Sequence, residues 1–195
     1  MSQRLFSRLA VKFVQHTLQL RRGEQRCLRA FASSAYYPSR GDFAVSEKRR
    51  FCGKDVLAFA QLTGDCNPLH TDPEYPSRFG QPIVHGMLVA SLIPALFAQC
   101  CPGSIYLSQN VKFLSPVYLD DYVHARIDVS RVRRVSSGDN SMVLVCDTYC
   151  FAESESPPVE TASAKCRSVI KGEAVVLLPP NLALNGFSKQ SVSRD

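Results

Sequence analysis

Residues 83–101 read IVHGMLVASLIPALFAQCC, the longest apolar stretch of a 195-residue chain. A helix drawn through it is hydrophobic nearly all round, so the stretch predicts a helix buried on most sides. Pro94 lies inside it and predicts a kink, because its ring removes the hydrogen bond to residue 90. Pro102 and Gly103 end it. His85, Gly86, Ser91, Pro94 and Gln99 interrupt the run, which therefore falls short of the roughly 18 apolar residues of a membrane span; no membrane insertion is expected.

Beyond residue 103 the hydrophobic period falls to two. Residues 104–114 form a mixed strand. Val123, Ala125, Ile127 and Val129 alternate with polar residues; Met142, Leu144, Cys146 and Thr148 alternate with Val143, Val145, Asp147 and Tyr149; Ala162, Ala164, Cys166, Ser168 and Ile170 alternate again. Turn residues at Asp120-Asp121, Ser137-Gly138-Asp139 and Ser156-Pro157-Pro158 separate these runs, the pattern of antiparallel hairpins. A buried helix followed by antiparallel strands predicts an α+β fold with the sheet curled around the helix. Upstream, residues 43–51 suggest a first strand. Residues 54–63 suggest a short helix with Val56, Phe59, Ala60 and Leu62 on one stripe, stopped by Gly64. Residues 64–82, with four prolines and two glycines, suggest an ordered loop.

The charge is unevenly placed. Residues 1–40 carry eight basic residues and one acid, a net of +7; the whole chain is +6, so residues 41–195, with 15 basic and 16 acidic, come to −1. The remainder lacks the basic footprint of a nucleic-acid binder. Arg4, Arg8 and Lys12 recur at every fourth residue and stack on one helical face, beside Leu5, Leu9 and Phe13. An amphipathic, Arg-rich, acid-poor segment predicts a mitochondrial transit peptide over residues 1–35 and a matrix address. Residues 43–178 would form the folded domain, and residues 179–195 a polar, frayed tail. Of the eight cysteines none forms a CxxC pair, so no zinc site is expected; in a reducing matrix they should be free thiols that pack as small hydrophobes.

Chemistry concentrates in Gly64-Asp65-Cys66-Asn67-Pro68-Leu69-His70. A carboxylate and an imidazole facing one site can hold a water between them, one accepting its proton while the other donates elsewhere. A second piece, Pro82-Ile83-Val84-His85-Gly86-Met87, places Gly86 at the start of the buried helix. An N–H there lacks an intrahelical partner and can stabilise a carbonyl oxygen as it gains charge. The alternative reading makes Asp65 and Asn67 turn caps. His85 is expected to be a structural donor that orients the loop, and His124 a solvent-facing residue on a strand. A metal site of His70, Asp72 and His85 is a minor alternative; neither metal nor cofactor is expected.

These two motifs in order, with Gly103-Ser104-Ile105-Tyr106-Leu107-Ser108-Gln109 and Phe113-x-x-Pro116-Val117-Tyr118, resemble the MaoC-like, R-specific enoyl-thioester hydratases. The resemblance spans about residues 43–178, with Pro76 and Pro94 at positions where the family often has small residues. It implies a hot-dog fold, a homodimer, and reversible syn addition of water to a trans-2-enoyl thioester giving the (R)-3-hydroxyacyl thioester. It further implies that Asp65 and His70 hold and activate the water, that Asn67 belongs to the substrate site, and that Gly86 N–H binds the thioester carbonyl. The carrier would be acyl carrier protein or CoA. Import favours the former, docked by basic residues near the pocket mouth: Arg131, Arg133 and Arg134, or Lys48, Arg49 and Arg50. The alternative from another class is a catalytically silent hot-dog protein that binds acyl chains or partners. A hot-dog thioesterase is disfavoured because its acid usually sits on the central helix, and residues 83–101 contain no Asp or Glu.

Overall fold

The computed structural model describes residues 38–135, 141–154, 166–180 and 186–189. The expected transit peptide lies outside the described residues. The elements run β1 (Asp42–Val45), β2 (Arg49–Arg50), α1 (Gly53–Thr63), α2 (Pro68–Thr71), α3 (Gly86–Ala90), α4 (Leu92–Cys100), β3 (Ile105–Phe113), β4 (Tyr122–Arg134), β5 (Met142–Glu153), β6 (Arg167–Leu178) and β7 (Ser188–Lys189). Among the described residues they build one antiparallel sheet in the order β3-β6-β5-β4-β1-β7, with β2 also pairing β4. This is the α+β, hot-dog arrangement: a helix held against the inner face of a long antiparallel sheet.

The period-two runs on β4 and β5 decide which face is inner. Val123, Ala125, Ile127 and Val129 on β4, and Leu144, Cys146, Cys150 and Ala152 on β5, are buried, while their neighbours are only half covered. Ile93, Leu96, Phe97 and Cys100 of α4 pack against that face. Small Ala and Cys side chains on the strands leave room for the large ones on the helix, as a dense core requires.

The apolar stretch is not one helix. α3 stops at Ala90 and α4 starts at Leu92. The break precedes Pro94 because its ring bars the carbonyl of residue 90, leaving Pro94 in the first turn of α4, where a missing N–H costs nothing. The stretch is also less enclosed than expected: Ser91, Pro94, Ala95, Ala98 and Gln99 are exposed.

Four further expectations change. The 43–51 strand is two short strands, β1 and β2. The 64–82 loop contains one helical turn, α2. β6 starts at Arg167, with Cys166 exposed outside it, while Ala162 and Ala164 lie outside the described residues; Cys52 and Cys66 are exposed as well, so among the described cysteines only Cys100, Cys101, Cys146 and Cys150 act as core residues. Burial pushes the Cys100 thiol up to about 11 and those of Cys146 and Cys150 to about 12. Within the expected tail, Phe187 packs on the core and β7 pairs with β1, while residues 181–185 and 190–195 lie outside the described residues.

Candidate active site

Gly64 ends α1 in a left-handed turn at φ 79°, its N–H bonded to Ala60 O at 2.8 Å. A side chain other than glycine's strains this conformation, and the turn redirects the chain so that Asp65 follows at once. Thr63 Oγ1 accepts from Asp65 N (3.3 Å), and Asp65 Oδ1 accepts from Asn67 N (3.4 Å). Asn67 is the N-cap of α2, its Oδ1 accepting from Leu69 N at 3.1 Å, with Pro68 next in the first turn. This single turn of helix delivers His70.

His70 Nδ1 lies 2.7 Å from Ile83 O. A carbonyl only accepts, so Nδ1 carries the hydrogen and Nε2 keeps its lone pair. The ring of His85 stands 3.9 Å from that of His70, tilted by 30°, and 5.0 Å from Phe59. His85 is 1% exposed, and its Nε2 donates to Asp65 O at 3.0 Å and lies 3.9 Å from Asp65 Oδ2. It thus fixes the Asp65 backbone from within the core, as expected of a structural donor. Its Nδ1 is buried without a partner.

One ligand atom each from Asp65, His70 and His85 falls within 4.8 Å of the others. The set that geometry would offer a cation is therefore not the His70, Asp72, His85 group: Asp72 instead accepts from Glu74 N at 2.9 Å in a turn.

Asp65, His70, His85 and Gly86 line one cavity of about 370 Å³, whose apolar wall includes Ile83, Val84, Met87, Phe113, Val117 and Ile170. Gly86 opens α3, so its N–H has no intrahelical acceptor. A Cβ at Gly86 would lie 2.7 Å from the Phe113 ring, so glycine is what lets that ring close over the helix start. Asn67 is not among the lining residues; its side chain is committed to the α2 cap. Arg78, whose guanidinium lies 4.9 Å over the Phe79 ring, does line the cavity and was not singled out from sequence, since an Arg in a loop carries no pattern.

Strand register corrects two surface expectations. Arg133 pairs with Val143 and Val143 with Leu177, whereas the cavity meets β6 at Ile170. Seven residues at about 3.3 Å each put Arg133 roughly 23 Å along the sheet from the cavity, with Arg131 and Arg134 to either side of it. Arg49 and Arg50 face Val123 and Tyr122, at the cavity end. There Lys48 is paired with Glu153, and Arg50 lies 3.4 Å from Asp120. His124 is half covered rather than solvent-facing, stacked on Phe151 with ring centroids 5.4 Å apart; desolvation is the main cause holding its pKa below the ordinary value.

Sheet, helix and paired motifs define a protein class. Residues 40–145 match the family described as MaoC like domain, and the chain belongs to it; it is a hydro-lyase of the hydratase and dehydratase kind. It is 38% identical over 135 residues to the (R)-specific enoyl-CoA hydratase of Aeromonas caviae, covering 67% of this chain and 89% of that one. It is 34% identical over 137 residues to the mitochondrial 3-hydroxyacyl-[acyl-carrier-protein] dehydratase of Arabidopsis thaliana, covering 69% and 75%. The solved structure of an (R)-hydratase from A. caviae involved in PHA biosynthesis aligns with a TM-score of 0.61 at 36% identity, over 73% of this chain and 98% of that one.

Proposed function

We propose that this chain is an (R)-specific 3-hydroxyacyl-thioester dehydratase, run reversibly as a trans-2-enoyl-thioester hydratase, and that Asp65, His70 and Gly86 carry the reaction. The observation that supports it is that Asp65, His70 and Gly86 line one largely apolar cavity, with His70 Nδ1 committed to Ile83 O and Gly86 opening α3. Carboxylate and Nε2 are both acceptors. A water between them donates one hydrogen to each and turns an oxygen lone pair toward C3 of the enoyl group. As the O–C3 bond forms, the water gives its proton to one of the pair, and a proton is delivered from the pair to C2 on the same face. Electron density moves onto the thioester oxygen in between, where the Gly86 N–H stabilises it. Dehydration is the same path reversed. Asn67 acts at one remove, capping the turn that aims His70.

The carrier is acyl carrier protein or CoA, and residues 1–35 direct the chain to the mitochondrial matrix. The names of two relatives, both mitochondrial dehydratases of acyl-carrier-protein substrates, support this, as does the +7 charge of residues 1–40. Residues 1–40 fused to a fluorescent protein should give a mitochondrial signal; diffuse fluorescence refutes the address. The enzymatic assignment is tested with purified protein and crotonyl-CoA. Hydration removes the conjugated enoyl thioester, so ultraviolet absorbance should fall and the product should be the (R)-3-hydroxy ester. Unchanged absorbance with both the CoA and the acyl-carrier-protein ester would leave the silent acyl-binding alternative standing.

A further inference from the structure

Behind the cavity lies an ion pair that the proposed chemistry does not touch. Asp121, with only 5% of its side chain exposed, accepts three donors: Tyr118 N at 3.1 Å, the Ser154 hydroxyl at 2.7 Å and Arg167 Nη2. The other arm of the Arg167 fork, Nη1, donates to Pro116 O, and the guanidinium lies 5.7 Å over the Tyr118 ring. One carboxylate and one guanidinium therefore grip both ends of the turn 116–118. That turn forms part of the cavity wall through Pro116 and Val117, while Arg167 itself is not among the lining residues.

The turn in turn holds the second motif. Val117 O accepts from Val84 N at 2.8 Å, and Tyr118 forms a β-bridge with Ile83. Ile83 O is the acceptor that orients His70, and two residues past Val84 comes Gly86. The contacts run without a gap from Arg167 and Asp121, through Pro116–Tyr118, to Ile83 and Val84, and from there to the His70 ring on one side and the Gly86 N–H on the other.

We propose that the Asp121–Arg167 pair is a positioning device that sets the distance and orientation between His70 and the Gly86 N–H across the cavity. The proposal rests on the functional reading of those two groups. Arginine suits this place because its planar fork bonds a carboxylate and a carbonyl at once, whereas a lysine ammonium is a single point of charge.

The test uses Arg167→Lys and Asp121→Asn in the full chain. Arg167→Lys keeps the charge opposite Asp121 and gives up the simultaneous hold on Pro116 O. The expected result is a thermal midpoint close to the parent's, a kcat for crotonyl-CoA hydration lower by about tenfold or more, as misplacement of reacting groups produces, and a KM nearly unchanged. In parallel, the ¹⁵N resonances of the His70 ring should lose the signature of a fixed Nδ1–H tautomer. Asp121→Asn should move both readouts the same way and serves if Arg167→Lys does not fold. Parent-like kcat and parent-like His70 resonances in a folded variant overturn the proposal, as does a loss of activity that only tracks the unfolded fraction. If the parent protein itself fails to hydrate the substrate, the functional reading falls, while the His70 resonances still decide whether the pair positions that ring.

Discussion

His70 offers its lone pair to the cavity only because its other nitrogen is committed to Ile83 O. That bond spans thirteen residues of sequence and makes the tautomer a property of two motifs together. Asp65 is held differently, through its backbone, by His85 from beneath and Thr63 from before. Asp65→Asn leaves both backbone contacts available and removes the charge; His70→Ala deletes a half-buried ring beside His85. Each should lower turnover at least about a hundredfold, the scale of losing a general acid or base, with circular dichroism unchanged. Near-parent turnover in either folded variant would remove that residue from the mechanism. That Asp65 and His70 would face one site was legible as residue types at a spacing, and both line the cavity. The cap formed by Asn67 was legible as an alternative, and the side chain does serve as one.

Among the elements, β6 carries a constraint its sequence hides. A Cβ on Gly172 would stand 1.9 Å from Asn110 O of β3 and 3.1 Å from Gln109 Nε2. The space lets Gln109 reach Thr148, which is fully buried and receives its hydrogen bond at 3.1 Å, while Tyr106 OH donates to Gln109 Oε1. A bulge between Tyr106 and Ser108 accommodates the inward turn. Gly172→Ala should cost about 3 kcal/mol, the upper range for forcing atoms into a packed site. A thermal midpoint lower by roughly 10 °C is the corresponding signal for a domain of this size. A midpoint within 2 °C or so of the parent would show that β3 moves aside freely. The long periodic strands were legible because alternation repeats over many residues, and Pro94 marked the kink that the structure shows as a break at Ser91. α2 was not legible, since it is set by a cap spanning only four residues.

For the molecule as a whole, the open question is what meets β3. Among the described residues it pairs with β6 alone, leaving its other edge without a strand, and Ile105, Leu107, Phe113 and neighbouring Leu114 are exposed. A bare apolar edge is a liability that folded proteins pair or cover. A second copy would cover it symmetrically, in keeping with a homodimer, and Phe113 would bring the contact to the cavity wall. Sedimentation of the parent at micromolar concentration should give the dimer mass, and Leu107→Lys should shift it toward monomer. A parent that sediments as a monomer at tens of micromolar would reject this edge as an interface.

The sequence by itself determined the class of fold, the separation of a basic N-terminal stretch from a near-neutral remainder, and the two motifs that meet at the site. These follow from local rules: period two, helix breakers, charge counting, residue types at fixed spacing. Only the tertiary structure decided that Ile83 O orients His70, that Arg131, Arg133 and Arg134 lie at the far end of the sheet from the cavity, and that Asp121 and Arg167 brace the turn behind it. Arg167 and Asp121 are 46 residues apart, and no local pattern marks either one. Their meeting depends on strand register, and register is fixed by which faces of β3 to β6 bury against α4, a choice made by the whole core at once.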